Sequence, residues 1–243
     1  MGRTKIIVRR AIECGRGRVR FLLGLAALIF IPLGLLDALE TAAGVIDTDA
    51  ASDFERLAQI ASAALHFASS LLGVILFGGI VAIAVVGTPP GVDPSLPMII
   101  RRTRWGTLVA IDLLFVAGLF FSALLLVIPL FFFFARYVLA AVLAEIEELG
   151  VRDSFRRSAE LGRGSRRLVL GILFAAAAIG DIATQVIQEG AQTLGFDGFV
   201  ADWISSSGTD ILYNPIVALL TVTIALELGG RPVQPQPETP VSS

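Results

Sequence analysis

The chain has 243 residues and a formal net charge of -2, with 55% of its residues hydrophobic and 16% charged. Those proportions lie outside the ranges of soluble domains, and the apolar residues fall in blocks about as long as a bilayer is thick, which excludes an ordinary soluble fold. One cysteine and one histidine exclude an internal disulfide and point away from a Cys/His metal cluster, so neither a metal nor another cofactor is expected.

Residues 1–20 are strongly basic, and an apolar block from Phe21 to Leu36 follows. A basic stretch before an apolar run is the pattern of a secretory signal. The same phrase returns deep in the chain, however. Residues 8–24 read VRRAIECGRGRVRFLLG and residues 155–171 read FRRSAELGRGSRRLVLG, identical at nine of seventeen positions. The second copy introduces an internal apolar block, so the first is read as a retained span containing Pro32.

A polar, acidic segment follows, in which Ser52 to Glu55 (SDFE) has capping-box spacing and leads into a second span over about Ile60 to Val86. TPPGVDPSLP is a loop, because its prolines and glycine do not propagate a helix. Arg101, Arg102, Arg104 and Trp105 mark the next interface. Residues 106–144 are too long for one crossing. They predict a hairpin of Gly106–Ile128 and Leu130–Ala144 turning at Pro129, with one long kinked helix or a re-entrant 130–144 as alternatives. Spans five and six run over about Leu168 to Ile187 and Ile211 to Leu228, and the proline-rich tail 229–243 is expected to be disordered.

Charge then sets sidedness. With the N-terminus inside, 17 of the 19 basic residues face the cytoplasm, Arg56 lies outside and Arg136 falls within a span. The outer loops carry Asp47, Asp49, Asp53, Glu55, Glu189, Asp197, Asp202 and Asp210. An excess of Lys and Arg marks the cytoplasmic side. The expected fold is therefore an all-α integral membrane domain over residues 1–228, with six spans and both termini cytoplasmic. Two parallel repeats (about 4–87 and 151–228) flank a central hairpin (about 98–148).

In each repeat an Arg–Glu pair sits four apart, Arg9 with Glu13 and Arg156 with Glu160, so each pair shares a helix face. Val8, Ala11 and Ile12, like Val151, Phe155 and Ala159, supply an apolar side, and the glycines at 15 and 17, or 162 and 164, turn the chain into the bilayer. The bland role for Arg9, Arg10, Arg16, Arg156, Arg157, Arg163, Arg166 and Arg167 is a topology signal. The sharper one is an interfacial site for anionic lipid.

The stretch AEIEELGVRDSFRRSAELGRGSRRLVLG, preceded by IPLFFFFARYVLAAVLAE, resembles the multi-span family related to the membrane domain of glycerophosphoryl diester phosphodiesterases. Pro129, Arg136, Glu145, Ser154, Arg157, Ser158, Leu161 and Gly164 stand where that family's pattern has matching residues. The resemblance implies a membrane fold. In that family the diesterase chemistry belongs to a separate barrel with histidine and acidic metal ligands, and this chain has only His66, so the enzymatic function does not carry over.

Ionisable groups within spans are functional candidates. Asp112 is expected near the cytoplasmic end of span three, within reach of Arg104 or headgroups. Arg136 and Asp181 each come out about 10 Å below the outer surface at roughly 1.5 Å per residue, so they can pair across spans four and five. Asp181, Thr184, Gln185 and Gln188 share a helix face that looks into the bundle, into a wet cleft, or out of the membrane as the helix emerges. His66 reads as interfacial, Phe131–Phe134 as packing surface, and Gly171, Ala175, Ala176 and Gly180 as a small-residue ridge. No phosphate loop or nucleophile–base pair is present, so an enzyme is not expected. The leading functional reading is a scaffold or helper in envelope or lipid homeostasis in a prokaryotic cell membrane. Its partners would be the bilayer, anionic lipid, and a membrane protein or second copy, without nucleic acid. The alternative is a small transporter or permease with a polar cleft near Asp181.

Overall fold

The computed structural model describes residues 2–42, 73–89, 92–125 and 127–229, and all regular structure among them is helical. In chain order the helices are α1 (Gly2–Gly15), α2 (Val19–Ala42), α3 (Val74–Gly87), α4 (Leu96–Arg102), α5 (Trp105–Leu125), α6 (Val127–Tyr137), α7 (Ala140–Ile146), α8 (Val151–Gly162), α9 (Arg166–Thr193) and α10 (Gly198–Gly229). The SDFE capping box, Arg56, His66, the start of the second predicted span and the tail lie outside the described residues. Four stretches are long and apolar enough to cross a bilayer: Trp105–Ser122, Pro129–Ile146, Arg167–Thr193 and Gly198–Gly229. The α1–α2 pair, bent by 87°, counts as a fifth if the pair is taken as one span. The protein is a helical, membrane-embedded one.

α10 is the central post. Its 32 residues pack against α2 on one side and α9 on the other, and also meet α1 and α3. The α2–α10 crossing is close because Gly34 has no side chain: a Cβ there would run into Ser207 Oγ and lie 3.2 Å from the Ser207 backbone nitrogen. Nearby, Trp203 Nε1 donates to the Ile31 carbonyl at 3.2 Å, beside Pro32. Gly180 plays the same part between α9 and α10, where a Cβ would press on the Tyr213 ring at 3.0 Å.

α3 is apolar all round and ten of its 14 residues are buried, among α5, α7 and α10. A helix without a polar stripe belongs inside a bundle.

The predicted hairpin is present, but its turn precedes Pro129. Phe115 of α5 lies 5.8 Å, centroid to centroid, from both Phe133 and Phe134 of α6, and Phe133 fills the space beside Gly118. The two helices therefore run antiparallel. Pro129 is the third residue of α6, in the first turn, where a missing N–H costs no hydrogen bond. The proline starts the second arm instead of dividing the two.

The last two helices also extend beyond their expected ends. The span expected over Leu168–Ile187 belongs to a helix reaching Thr193, and the one expected from Ile211 begins at Gly198. Gln188, Glu189 and Ser205–Ser207 are polar, yet polarity does not stop a helix. The break comes at Gly195 and Gly198, whose positive φ values of 85° and 57° favour glycine. At 28 and 32 residues these helices are roughly 42 and 48 Å long, well beyond about 30 Å of hydrocarbon.

Gly34→Ala should lower the thermal unfolding midpoint in detergent, with an overpacking cost of about 1–3 kcal/mol. A Cβ added at Gly24 would meet nothing within 4 Å, so Gly24→Ala should leave stability unchanged or raise it by up to about 1 kcal/mol through helix propensity. Equal effects at the two glycines would contradict the close crossing.

Candidate functional site

α3 has a mid-bundle start and an apolar sequence, so its own side chains offer nothing to its free terminal amides and carbonyls. Two buried charges from other elements meet those ends. At the start, Asp112 of α5 is 3% exposed and its Oδ2 accepts a hydrogen bond from the Gly73 N–H at 2.9 Å. At the finish, Arg18 in the α1–α2 turn is 1% exposed and donates to the carbonyls of Thr88 at 2.6 Å and Pro89 at 3.0 Å. Its other terminal nitrogen donates to the Cys14 carbonyl at 2.7 Å, at the end of α1. An anion at a helix N-terminus and a cation at a C-terminus each oppose the helix dipole. Arg18 does so for two helices at once. Arg18 Nε and Asp112 Oδ1 are buried without a hydrogen bond.

Asp112 thus does not bond Arg104, as expected, but turns inward to α3. Arg104 instead donates from its backbone N–H to Glu145 Oε1 at 3.2 Å and from its guanidinium to the Leu149 carbonyl at 2.8 Å. The Cys14 thiol is buried, and burial pushes its pKa up, away from the reactive thiolate.

Ion pairs and close approaches gather the basic junctions at one end of the bundle. Arg10 of α1 pairs with Glu227 near the end of α10. Gly229 sits beside Glu147, which pairs with Arg157 of α8 at 3.1 Å. Arg102 lies against Gly87 at the end of α3.

The two repeated phrases behave differently here. In α8, Arg156 pairs with Asp153 at 2.9 Å and approaches Glu160 at 4.0 Å, while Arg157 bonds Glu147 and lies 3.8 Å from Glu160. The apolar side of α8 packs on protein: Phe155 meets Tyr137 edge to face at 5.3 Å, and Val151 packs on the core. α8 is docked on α6 and α7, and its apolar face is not presented to headgroups. In α1, Ile7, Ala11 and Cys14 are buried, but Val8 and Ile12 on the other side are 40% and 58% exposed. Arg9 bonds Glu13 at 2.9 Å. Arg16, Arg163 and Arg167 are exposed, and the side chain of Arg166 lies outside the described residues.

Arg136 and Asp181 are not brought together. The Arg136 carbonyl accepts from Ser158 Oγ of α8 at 2.8 Å, and its guanidinium lies 5.4 Å from the Tyr137 ring, with Nε buried and unbonded. Arg136 is therefore level with α8, near the start of α9. Asp181 is 15 residues along α9 from Arg166, roughly 22 Å farther on. The correction has a simple source. Depth counted from a turn at Pro129 mislocates Arg136 once the turn moves and the helix breaks at Val138–Leu139. Asp181 and Gln185 are exposed, while Thr184 and Gln188 are partly buried, so this stripe lies on the flank of α9 and not within the core. In the small-residue ridge Ala176 and Gly180 are buried, whereas Gly171 and Ala175 are exposed. Phe133 and Phe134 pack on the core, while Phe131 and Phe132 face outward.

Among the described residues no three His, Cys, Asp or Glu side chains group to hold a metal ion. No protein family, curated protein or solved structure matches this chain.

The residue that sequence reasoning passed over is Arg18. One signal was present: the repeated phrase has Ser165 at the position equivalent to Arg18, so Arg18 is a charge that the duplicated pattern does not require.

Asp112→Asn retains an acceptor for the Gly73 amide and should keep most of the stability. Asp112→Ala should lose about 1 kcal/mol or more, the cost of an empty cap, read as the unfolding midpoint in detergent. Arg136→Ala and Asp181→Ala should be additive within about 0.5 kcal/mol, as for sites without shared partners. A coupling well above that would restore the pair.

Proposed function

We propose that this is a non-enzymatic, multi-pass protein of a prokaryotic cell membrane, a scaffold or helper in envelope or lipid homeostasis. The proposal includes six spans with both termini cytoplasmic, two parallel repeats around the central hairpin, and kinship with the membrane domain that accompanies glycerophosphoryl diester phosphodiesterases. One observation carries the scaffold reading: the bundle interior is filled with apolar side chains. Phe77, Ile80, Leu108, Ile111, Leu143 and Val222 are all at most 1% exposed, leaving the polar stripe of α9 outside them. A permease needs a wet path to the midplane. The stripe at Asp181 and Gln185 is what favours that second reading, as the outer wall of a cleft.

Sidedness rests on the positive-inside rule. The end of the bundle that gathers Arg10, Arg102 and Arg157 is then cytoplasmic, and the turn between α9 and α10 is external.

Cysteine accessibility in sealed vesicles tests both parts. Leu194→Cys, at an exposed position, should react with an impermeant thiol reagent from outside, and Gly164→Cys only after the vesicles are opened. The reverse pattern would invert the topology. Ala82→Cys, Ala141→Cys and Ala225→Cys, each at a position no more than 2% exposed, should stay unreactive from both sides. Reaction at any of these positions, together with solute uptake by vesicles carrying the unmodified protein, would transfer the reading to the permease.

A further inference from the structure

We propose that the outward side of α1, and not the equivalent phrase in α8, is the binding site for an anionic phospholipid headgroup, a deepening that rests on the membrane-surface part of the reading above. α1 lies at 87° to α2, so with α2 spanning, α1 runs along the membrane plane. One side of it, through Ile7 and Ala11, is buried, and Arg10 is tied to Glu227 of α10. The other side forms a groove of about 580 Å³ lined by Thr4, Lys5, Val8, Arg9, Ile12, Glu13 and Arg16.

That lining has two chemistries at helical spacing. Thr4, Val8 and Ile12 make a row of one-turn steps that ends at Arg16, with Lys5, Arg9 and Glu13 beside it. Three cations face one carboxylate, and that carboxylate is committed to Arg9. Lys5 and Arg16, without an acid partner among the described residues, therefore carry this side's uncompensated positive charge, roughly 16 Å apart, so that each end of the exposed Val8–Ile12 floor offers one cation to one phosphate. A lipid has the matching form: a phosphodiester anion joined to a glycerol and acyl region that can lie on an apolar floor. A free inorganic anion would use the cations but gain nothing from Val8 and Ile12. That pairing of charge with exposed apolar surface selects a lipid over a free anion.

α8 lacks the pairing. Arg156 and Arg157 are satisfied by Asp153, Glu147 and Glu160, and its apolar residues are packed on α6 and α7. Its remaining outward arginines, Arg152 and Arg163, are exposed charges on a solvated face.

The test is retention of dioleoyl phosphatidylglycerol and dioleoyl phosphatidylcholine by the purified full-length protein, read by native mass spectrometry from detergent. The wild-type protein should prefer phosphatidylglycerol. The double substitution Lys5→Gln/Arg16→Gln should weaken that retention about fivefold, the loss of one cation at each phosphate, and leave phosphatidylcholine unchanged. Ile12→Ser, at an exposed position, should weaken it severalfold without changing any charge. Arg152→Gln/Arg163→Gln removes the same number of charges and should stay within about twofold of wild type. Gel filtration and circular dichroism confirm that each variant is folded. An equal loss in the two double variants would overturn the groove while leaving a general attraction to anionic lipid intact. Displacement of the lipid by excess inorganic phosphate would make it a free-anion site and overturn the lipid assignment. No preference in the wild-type protein would overturn this inference and leave the scaffold reading, which rests on the packed interior, standing.

Discussion

The bundle depends on how a short, wholly apolar helix ends inside a membrane protein. Water satisfies free amides and carbonyls at the ends of a soluble helix, but in a dry interior each unsatisfied group is costly. α3 has no polar side chain with which to solve this. Asp112 supplies an acceptor to the Gly73 amide at its start, and Arg18 supplies donors to the Thr88 and Pro89 carbonyls just past its end. These two charges fix α3 lengthwise between α5 and the α1–α2 turn. Because Arg18 also bonds the end of α1, the same guanidinium holds α1 across the end of the bundle. The orientation of α1, and the exposure of its outer side, follow from that connection.

The remaining contacts are those expected where helices must approach without a hydrophobic force between them. Small residues allow close crossings, at Gly34 against Ser207 and at Gly180 against Tyr213. Three hydroxyls of α10 return their hydrogen bonds to their own helix, Ser205 to Asp202, Thr221 to Val217 and Thr223 to Leu219. Their polarity is thereby absorbed without a partner helix, which lets α10 serve as a buried post. Among the described residues, the longer-range charge pairs Arg10–Glu227 and Arg157–Glu147 lie at one end of the bundle. That end is an ionic platform.

The two copies of the repeated phrase differ in their surroundings at this end of the bundle. The two copies of the phrase share arginine pairs, a glutamate and glycines, yet one lies across the end of the bundle with apolar residues exposed and the other is packed against α6 and α7. The difference arises from what surrounds them. Beside α8 stand Glu147 and Tyr137, which take up its arginine and its phenylalanine. The outer side of α1 has no such neighbours among the described residues, so its cations and apolar side chains remain accessible.

The sequence by itself determined the class of protein, four or five of the helical spans, the existence of the central hairpin and the concentration of arginine at the junctions. Each rests on a property that a short window contains: the length of an apolar run, the spacing of a repeat, or the sign of a local charge. Helix ends were less legible. Pro129 looks like a breaker but is acceptable in a first turn, and Gln188 or Ser206 looks like loop but continues a helix until Gly195 or Gly198 allows a turn. The partners of buried charges were not legible at all. Arg136 and Asp181 look like a pair because both are ionisable and apolar sequence surrounds both, yet helix register separates them by roughly 20 Å. Arg18 and Asp112 bond to backbone groups, which every residue carries and no sequence pattern distinguishes. Only the tertiary structure decides which of those groups is left free beside a charge, because that depends on where one helix ends relative to another.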